Sequence, residues 1–115
     1  MDQLQVSARF PRIDPANLAE FKALSSEFVA LTRDEPGTLQ FTFFLNADQT
    51  AAEFRETYAD SNCVLAHLAA LGAGINRLVE LGGGIRIECF GTPSPELMAA
   101  TAAFAPTIYS YVDGK

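Results

Sequence analysis

The stretch Leu39 to Tyr58, LQFTFFLNADQTAAEFRETY, decides the fold. Leu39, Phe41, Phe43 and Leu45 alternate with Gln40, Thr42, Phe44 and Asn46. That period of two predicts a strand with one apolar face, and Phe44 makes its second face partly apolar as well. Asn46-Ala47-Asp48-Gln49 reads as a hairpin turn. Phe54, Glu56 and Tyr58 then alternate with Glu53, Arg55 and Thr57, so a further strand runs back antiparallel to the first.

On the N-terminal side, Leu4, Val6, Ala8 and Phe10 alternate with polar residues and predict another strand, ended by Pro11. Asp14-Pro15 is an N-cap followed by a first-turn proline. Leu18, Phe21, Leu24 or Ser25, Phe28 and Leu31 continue at helical spacing, a helix of about five turns. Thr32 to Gly37 stops it. On the C-terminal side, Asp60 or Ser61 caps a second helix that carries Val64, Leu65, Leu68, Leu71, Ile75, Leu78 and Val79 to about Leu81. Gly72 and Gly74 interrupt it, each at a cost of about 1 kcal/mol against alanine, and predict a kink or a break. Gly82-Gly83-Gly84 forms a turn into a fourth strand with Ile85, Ile87 and Cys89 on one face. Pro93-Ser94-Pro95 opens a short helix with Leu97, Met98 and Phe104, closed by Pro106. Thr107 to Val112 reads as a final extended segment.

The order β-α-β-β-α-β predicts an α+β, ferredoxin-like antiparallel sheet of four strands with helices on one face. Residues 1–115 form one domain, with a core over about 4–92 and a C-terminal helix and tail over 93–115. The uncovered face carries either Phe44 or the Phe41/Phe43 pair, depending on register. An apolar face of that kind needs a partner, and the simplest is a second copy related by a two-fold axis. A homodimer is expected.

The chain has 115 residues, 49% hydrophobic and 19% charged, which suits one domain with a packed core and not a disordered chain. Its net charge of −6 argues against nucleic acid or an anionic membrane as partner. The N-terminus shows no signal-peptide pattern, and no 18-residue apolar run is present. Cys63 and Cys89 lack C-x-x-C spacing and read as reduced thiols, so a cytoplasmic location is expected. No glycine-rich nucleotide fingerprint follows a strand. One histidine with scattered carboxylates gives no metal-ligand spacing, so no metal site and no cofactor are expected.

Three segments carry a resemblance. They are Glu35-Pro36-Gly37-Thr38-Leu39 before the second strand, Glu56-x-Tyr58-Ala59-Asp60-Ser61 leading to the helical His67-Leu68, and Gly91-Thr92-Pro93-Ser94-Pro95-Glu96-Leu97. The chain resembles the antibiotic biosynthesis monooxygenase domain family of the dimeric α+β barrel superfamily, over about residues 4 to 92. The resemblance implies the same fold and a dimer. It implies a range of activities: cofactor-free oxygenation of polyketide anthrones and quinols, haem degradation, and processing of a small signalling molecule. The chain has no tryptophan to set against a porphyrin, which disfavours the haem role.

His67, the only histidine, borders the buried stripe of the second helix. It is either a locally bonded helix residue or a proton-transfer group lining a pocket between helices and sheet. Glu56 and Tyr58 share a strand face with Phe54. Either they sit at an edge and in plain packing, or Glu56 stands beside His67, orienting it or sharing its proton, while Tyr58 donates to a substrate oxygen. In the second case burial raises the Glu56 pKa. The candidate catalytic residues are therefore His67, Glu56 and Tyr58. Phe41, Phe43, Phe54, Val64 and Leu68 are candidate substrate-binding residues. Arg55 and Arg86 read as solvated or dimer-facing. The function expected is a cofactor-independent, monooxygenase-like reaction on a small aromatic or quinol-type substrate. The alternatives are a non-catalytic ligand-binding dimer and a signalling-molecule isomerase.

Overall fold

The computed structural model describes residues 2–115. Its elements are β1 (Leu4–Phe10), α1 (Leu18–Thr32), β2 (Thr38–Leu45), β3 (Ala52–Tyr58), α2 (Ser61–Leu71), α3 (Gly74–Leu81), β4 (Arg86–Phe90), α4 (Pro95–Thr101) and β5 (Thr107–Tyr109). The sheet order is β2-β3-β1-β4-β5. β1 lies at the centre, antiparallel to both β3 and β4. β2 and β3 form the expected hairpin. The fold is α+β, as the sequence predicts, with one addition. β5 joins the edge parallel to β4, so the sheet is mixed and has five strands. Only Thr107–Tyr109 of the expected 107–112 segment is regular.

The register sorts the aromatic residues. Phe43 pairs with Phe54, Phe54 with Ala8, and Ala8 with Ile87, making an apolar row beneath the helices. The next row runs Phe41, Glu56, Val6 and Cys89, so one carboxyl group is set among apolar neighbours. Phe44 is therefore on the open face and Phe41/Phe43 on the covered one. Leu39 departs from the expected alternation. The β2–β3 register shifts between Thr38 and Gln40, and that bulge turns Leu39 out to 55% exposure. On the open face Glu53 pairs with Arg9 at 2.9 Å and with Arg55 at 2.5 Å.

Local chemistry explains the element ends. Asp14 Oδ1 accepts from Ala16 N at 2.8 Å, which tightens Pro15–Asn17 into a 3₁₀ turn and delays α1 to Leu18. Asn46 Oδ1 accepts from both Thr50 N and Ala51 N, closing the hairpin turn. Asp60, not Ser61, caps α2, accepting from Cys63 N at 3.0 Å. Ser61 Oγ instead accepts from Ser94 N at 2.9 Å and ties the start of α4 to α2. At Gly72 the backbone turns to φ +56°, a conformation glycine adopts without strain, and α2 and α3 meet at 81°. The second helix is thus broken there. α4 ends at Thr101, and Phe104 sits in a following 3₁₀ turn.

The buried apolar residues fall into two clusters. One holds Phe10, Phe21, Phe28, Phe54, Leu78 and Leu81 beneath α1 and α3. The other holds Leu4, Tyr58, Val64, Cys89 and Leu97 beneath α2 and α4. No single helix among the described residues is long and apolar enough to cross a membrane.

Candidate active site

Between the two clusters lies a cavity of about 80 Å³. Its floor is Val6, Ala8, Phe54, Glu56, Ile87 and Cys89 from the sheet. Val64, His67, Leu68 and Leu71 of α2 form its roof, with Ile75 and Leu78 of α3. The C-terminal segment closes one side through Met98, Phe104 and Ile108.

Four ionisable side chains reach this lining: Glu56, Tyr58, His67 and Cys89. Burial pushes the Cys89 thiol up. Glu56 and Tyr58 lie two apart on β3, so the pleat points both at the cavity. The Tyr58 hydroxyl donates a hydrogen bond to Glu56 Oε1. Burial pushes the Glu56 carboxyl up to about 7, against the opposing pull of the Tyr58 bond. Burial also holds the Tyr58 phenol far above its ordinary value, helped by the nearby Glu56 and Glu35 carboxylates. Near neutral pH, Glu56 can therefore take or give a proton, while Tyr58 acts only as a donor.

α2 places His67 one turn past Val64, with its ring against Phe41 at 4.8 Å and Tyr58 at 5.5 Å. Its Nδ1 lies 2.9 Å from Glu35 Oε1. Burial lowers the imidazole pKa, and the Glu35 bond and charge act in the opposite direction. The ring is thus neutral near neutral pH and able to accept a proton.

The structure brings His67, Glu56 and Tyr58 to one cavity, but the carboxyl group on His67 Nδ1 is Glu35, so of the two readings of Glu56 the one that sets it directly on His67 does not hold. β3 turns Glu56 toward its own neighbour Tyr58, and the turn after α1 delivers Glu35 to the helix. In the sequence Glu35 reads only as part of a turn and of the segment that carries the resemblance, with nothing to tie it to His67. Of the expected binding residues, Phe41, Phe54, Val64 and Leu68 line the cavity. Phe43 does not. It packs beneath α1 against Phe21 and Phe54, at 5.9 and 5.2 Å. Among the described residues no group of three or more metal-binding side chains comes together.

No family model and no curated protein matches the sequence. Solved structures do match. The fold is that of the antibiotic biosynthesis monooxygenases, represented by two provisionally named proteins of that kind. The one from Caulobacter crescentus has TM-score 0.63 and 19% identity, covering 81% of this chain and 92% of that one. The one from Deinococcus radiodurans has TM-score 0.65 and 17% identity, covering 80% and 93%. A fuller match is to MupZ from Pseudomonas fluorescens. It has TM-score 0.82 and 25% identity, covering 100% of this chain and 94% of that one.

Proposed function

We propose that the chain is a cofactor-independent, monooxygenase-like enzyme acting on a small aromatic or quinol-type molecule in the cavity between helices and sheet. The observation that carries this reading is the convergence of Glu56, Tyr58 and His67 on an otherwise apolar cavity. Two titratable groups held in different environments are what acid–base division of labour requires. Neutral His67 takes a proton from the substrate. Glu56, in its protonated form, donates to the substrate oxygen on which negative charge collects, and the Tyr58 hydroxyl, donating to Glu56 Oε1, holds that carboxyl group in place. The resulting electron-rich anion reacts with dioxygen. For a methylene substrate, one oxygen atom becomes the new carbonyl and the other leaves as water, so the substrate supplies the electrons.

The names of the Caulobacter and Deinococcus proteins favour the oxygen step. The geometry itself supports proton transfer, and so also supports an isomerase-like reaction without oxygen. A second copy on the open sheet face completes the proposed assembly. That face exposes Phe44, Phe90 and Tyr109.

The test is oxygen uptake with a panel of quinols and anthrones, run on the natural protein, His67→Ala and Glu56→Gln. Uptake that both variants lose supports the proposal. No uptake by a correctly folded natural protein overturns the oxygenase reading in favour of oxygen-independent proton transfer or ligand binding.

A further inference from the structure

Glu35 belongs to no element of the cavity wall, yet it is held as firmly as the residues that do. Its backbone N–H donates to Thr32 O at 3.0 Å, and its carbonyl accepts from Thr38 N at 3.1 Å, which closes the turn. Its Oε1 accepts from the Thr38 hydroxyl at 2.8 Å and meets His67 Nδ1 at 2.9 Å. Its Oε2 is buried without a partner. One oxygen of this carboxyl group is therefore shared between the Thr38 hydroxyl and one imidazole nitrogen.

His67 is 2% exposed and has Phe41 and Tyr58 against its ring. A neutral imidazole carries one N–H, and the tautomer follows from the bond its other nitrogen makes. With a carboxylate at Nδ1, the proton resides on Nδ1 and donates to Glu35 Oε1. Nε2 then keeps its lone pair. Glu35 stands outside the cavity lining while His67 is part of it. The bonded nitrogen therefore faces away from the ligand space and leaves Nε2 for it.

We propose that Glu35 is a positioning residue that fixes His67 in the Nδ1–H tautomer and presents Nε2 to the cavity as the base. This rests on reading the cavity as a proton-transfer site. The ionisable groups around the ring are Glu35 from the turn after α1 and Glu56 and Tyr58 from β3, with the Cys89 thiol of β4 in the same cavity lining.

His67 is the only histidine, so nitrogen NMR of the full chain labelled in its histidine ring reads one Nδ1 and one Nε2 resonance. The natural protein is expected to show a protonated Nδ1 and an unprotonated Nε2 at neutral pH. Glu35→Ala is expected to move the proton to Nε2. Glu35→Gln, whose amide oxygen still accepts, is expected to keep it on Nδ1 and to lower the His67 pKa through loss of the negative charge. If Glu35→Ala fails to fold, the Glu35→Gln titration decides alone. A natural protein protonated on Nε2, or a Glu35→Gln titration that coincides with the natural one, overturns the proposal. The spectrum is read without substrate. Failure of the oxygenase reading leaves this result standing, and failure here leaves the oxygen-uptake result standing.

Discussion

The Tyr58 hydroxyl donates to the carboxyl of Glu56, its neighbour two residues earlier on the same strand, and both face the same cavity. A carboxyl group there has one fixed donor and few other polar neighbours. Its charge is therefore costly, which is why its pKa rises to about 7. The folded pKa lies above the unfolded one. Glu56 thus contributes stability that is fully present below about pH 4.5 and lost as pH rises through about 7. A rise of that size corresponds to about 3 kcal/mol. Glu56→Gln removes the titration. Chemical denaturation is expected to show the variant gaining on the natural protein as pH climbs from 5 to 8, by up to about 3 kcal/mol. Equal pH slopes for the two proteins would contradict the assignment.

Tyr58→Phe removes the only bond that lowers the Glu56 pKa. The carboxyl titration, followed by infrared absorption with Glu56→Gln as blank, is expected to move further upward. A downward movement would mean that water replaces the tyrosine as donor.

Phe54 packs against Phe10, Phe41 and Phe43 with ring centroids at 5.8, 4.9 and 5.2 Å. It belongs both to the larger core cluster and to the cavity floor. Phe54→Ala is expected to cost about 3–5 kcal/mol in urea unfolding. A loss below about 1 kcal/mol would mean that the surrounding rings collapse into the space.

Gly83 has φ +72°, and a Cβ built there would stand 2.4 Å from the carbonyl oxygen of Arg12. Both conformation and space oppose a side chain, and the oxygen is backbone. Gly83→Ala is expected to destabilise by more than about 1 kcal/mol in thermal or urea unfolding. Gly84, at φ +117°, has open space around its Cβ position. Gly84→Ala therefore separates backbone strain from collision.

β5 pairs with β4 of its own chain, and Tyr109 stacks on Phe90 at 5.1 Å. Truncation after Pro106 is expected to lower the melting temperature and leave the sedimentation coefficient close to its original class. Phe44→Glu with Phe90→Glu is expected to do the reverse, dissociating the proposed dimer while the fold is kept. A natural protein that sediments as a monomer at micromolar concentration would remove the dimer from the proposal.

The strands were legible because the sheet buries one face and the alternation of Phe41, Phe43, Phe54 and Tyr58 records that directly. The helix break was legible because Gly72 has no other ready explanation in a run of good helix formers. Leu39 misled because a bulge changes register without changing composition. Its neighbours Thr38 and Gln40 carry no mark of the shift. At the site, Glu56 and Tyr58 were legible through their spacing of two, and His67 through its place on the helical stripe. Glu35 was not, because its role depends on a turn and a helix separated by about thirty residues, and short-range periodicity holds no record of that meeting. Phe43 and Phe41 are equivalent in pattern. Only the position of α1 decides that one packs in the core and the other lines the cavity.

The bend at Gly72 reaches beyond the path of the chain. A straight helix touches a sheet along one line, whereas two short helices meeting at 81° span a corner above it. His67 hangs from one arm of that corner and Ile75 and Leu78 from the other. Val64, Leu68 and Leu71 share the first arm with His67, so the two arms close the chamber from two directions. A change in the angle at Gly72 would move Ile75 and Leu78 against a stationary His67, and so alter the chamber's volume without moving the imidazole.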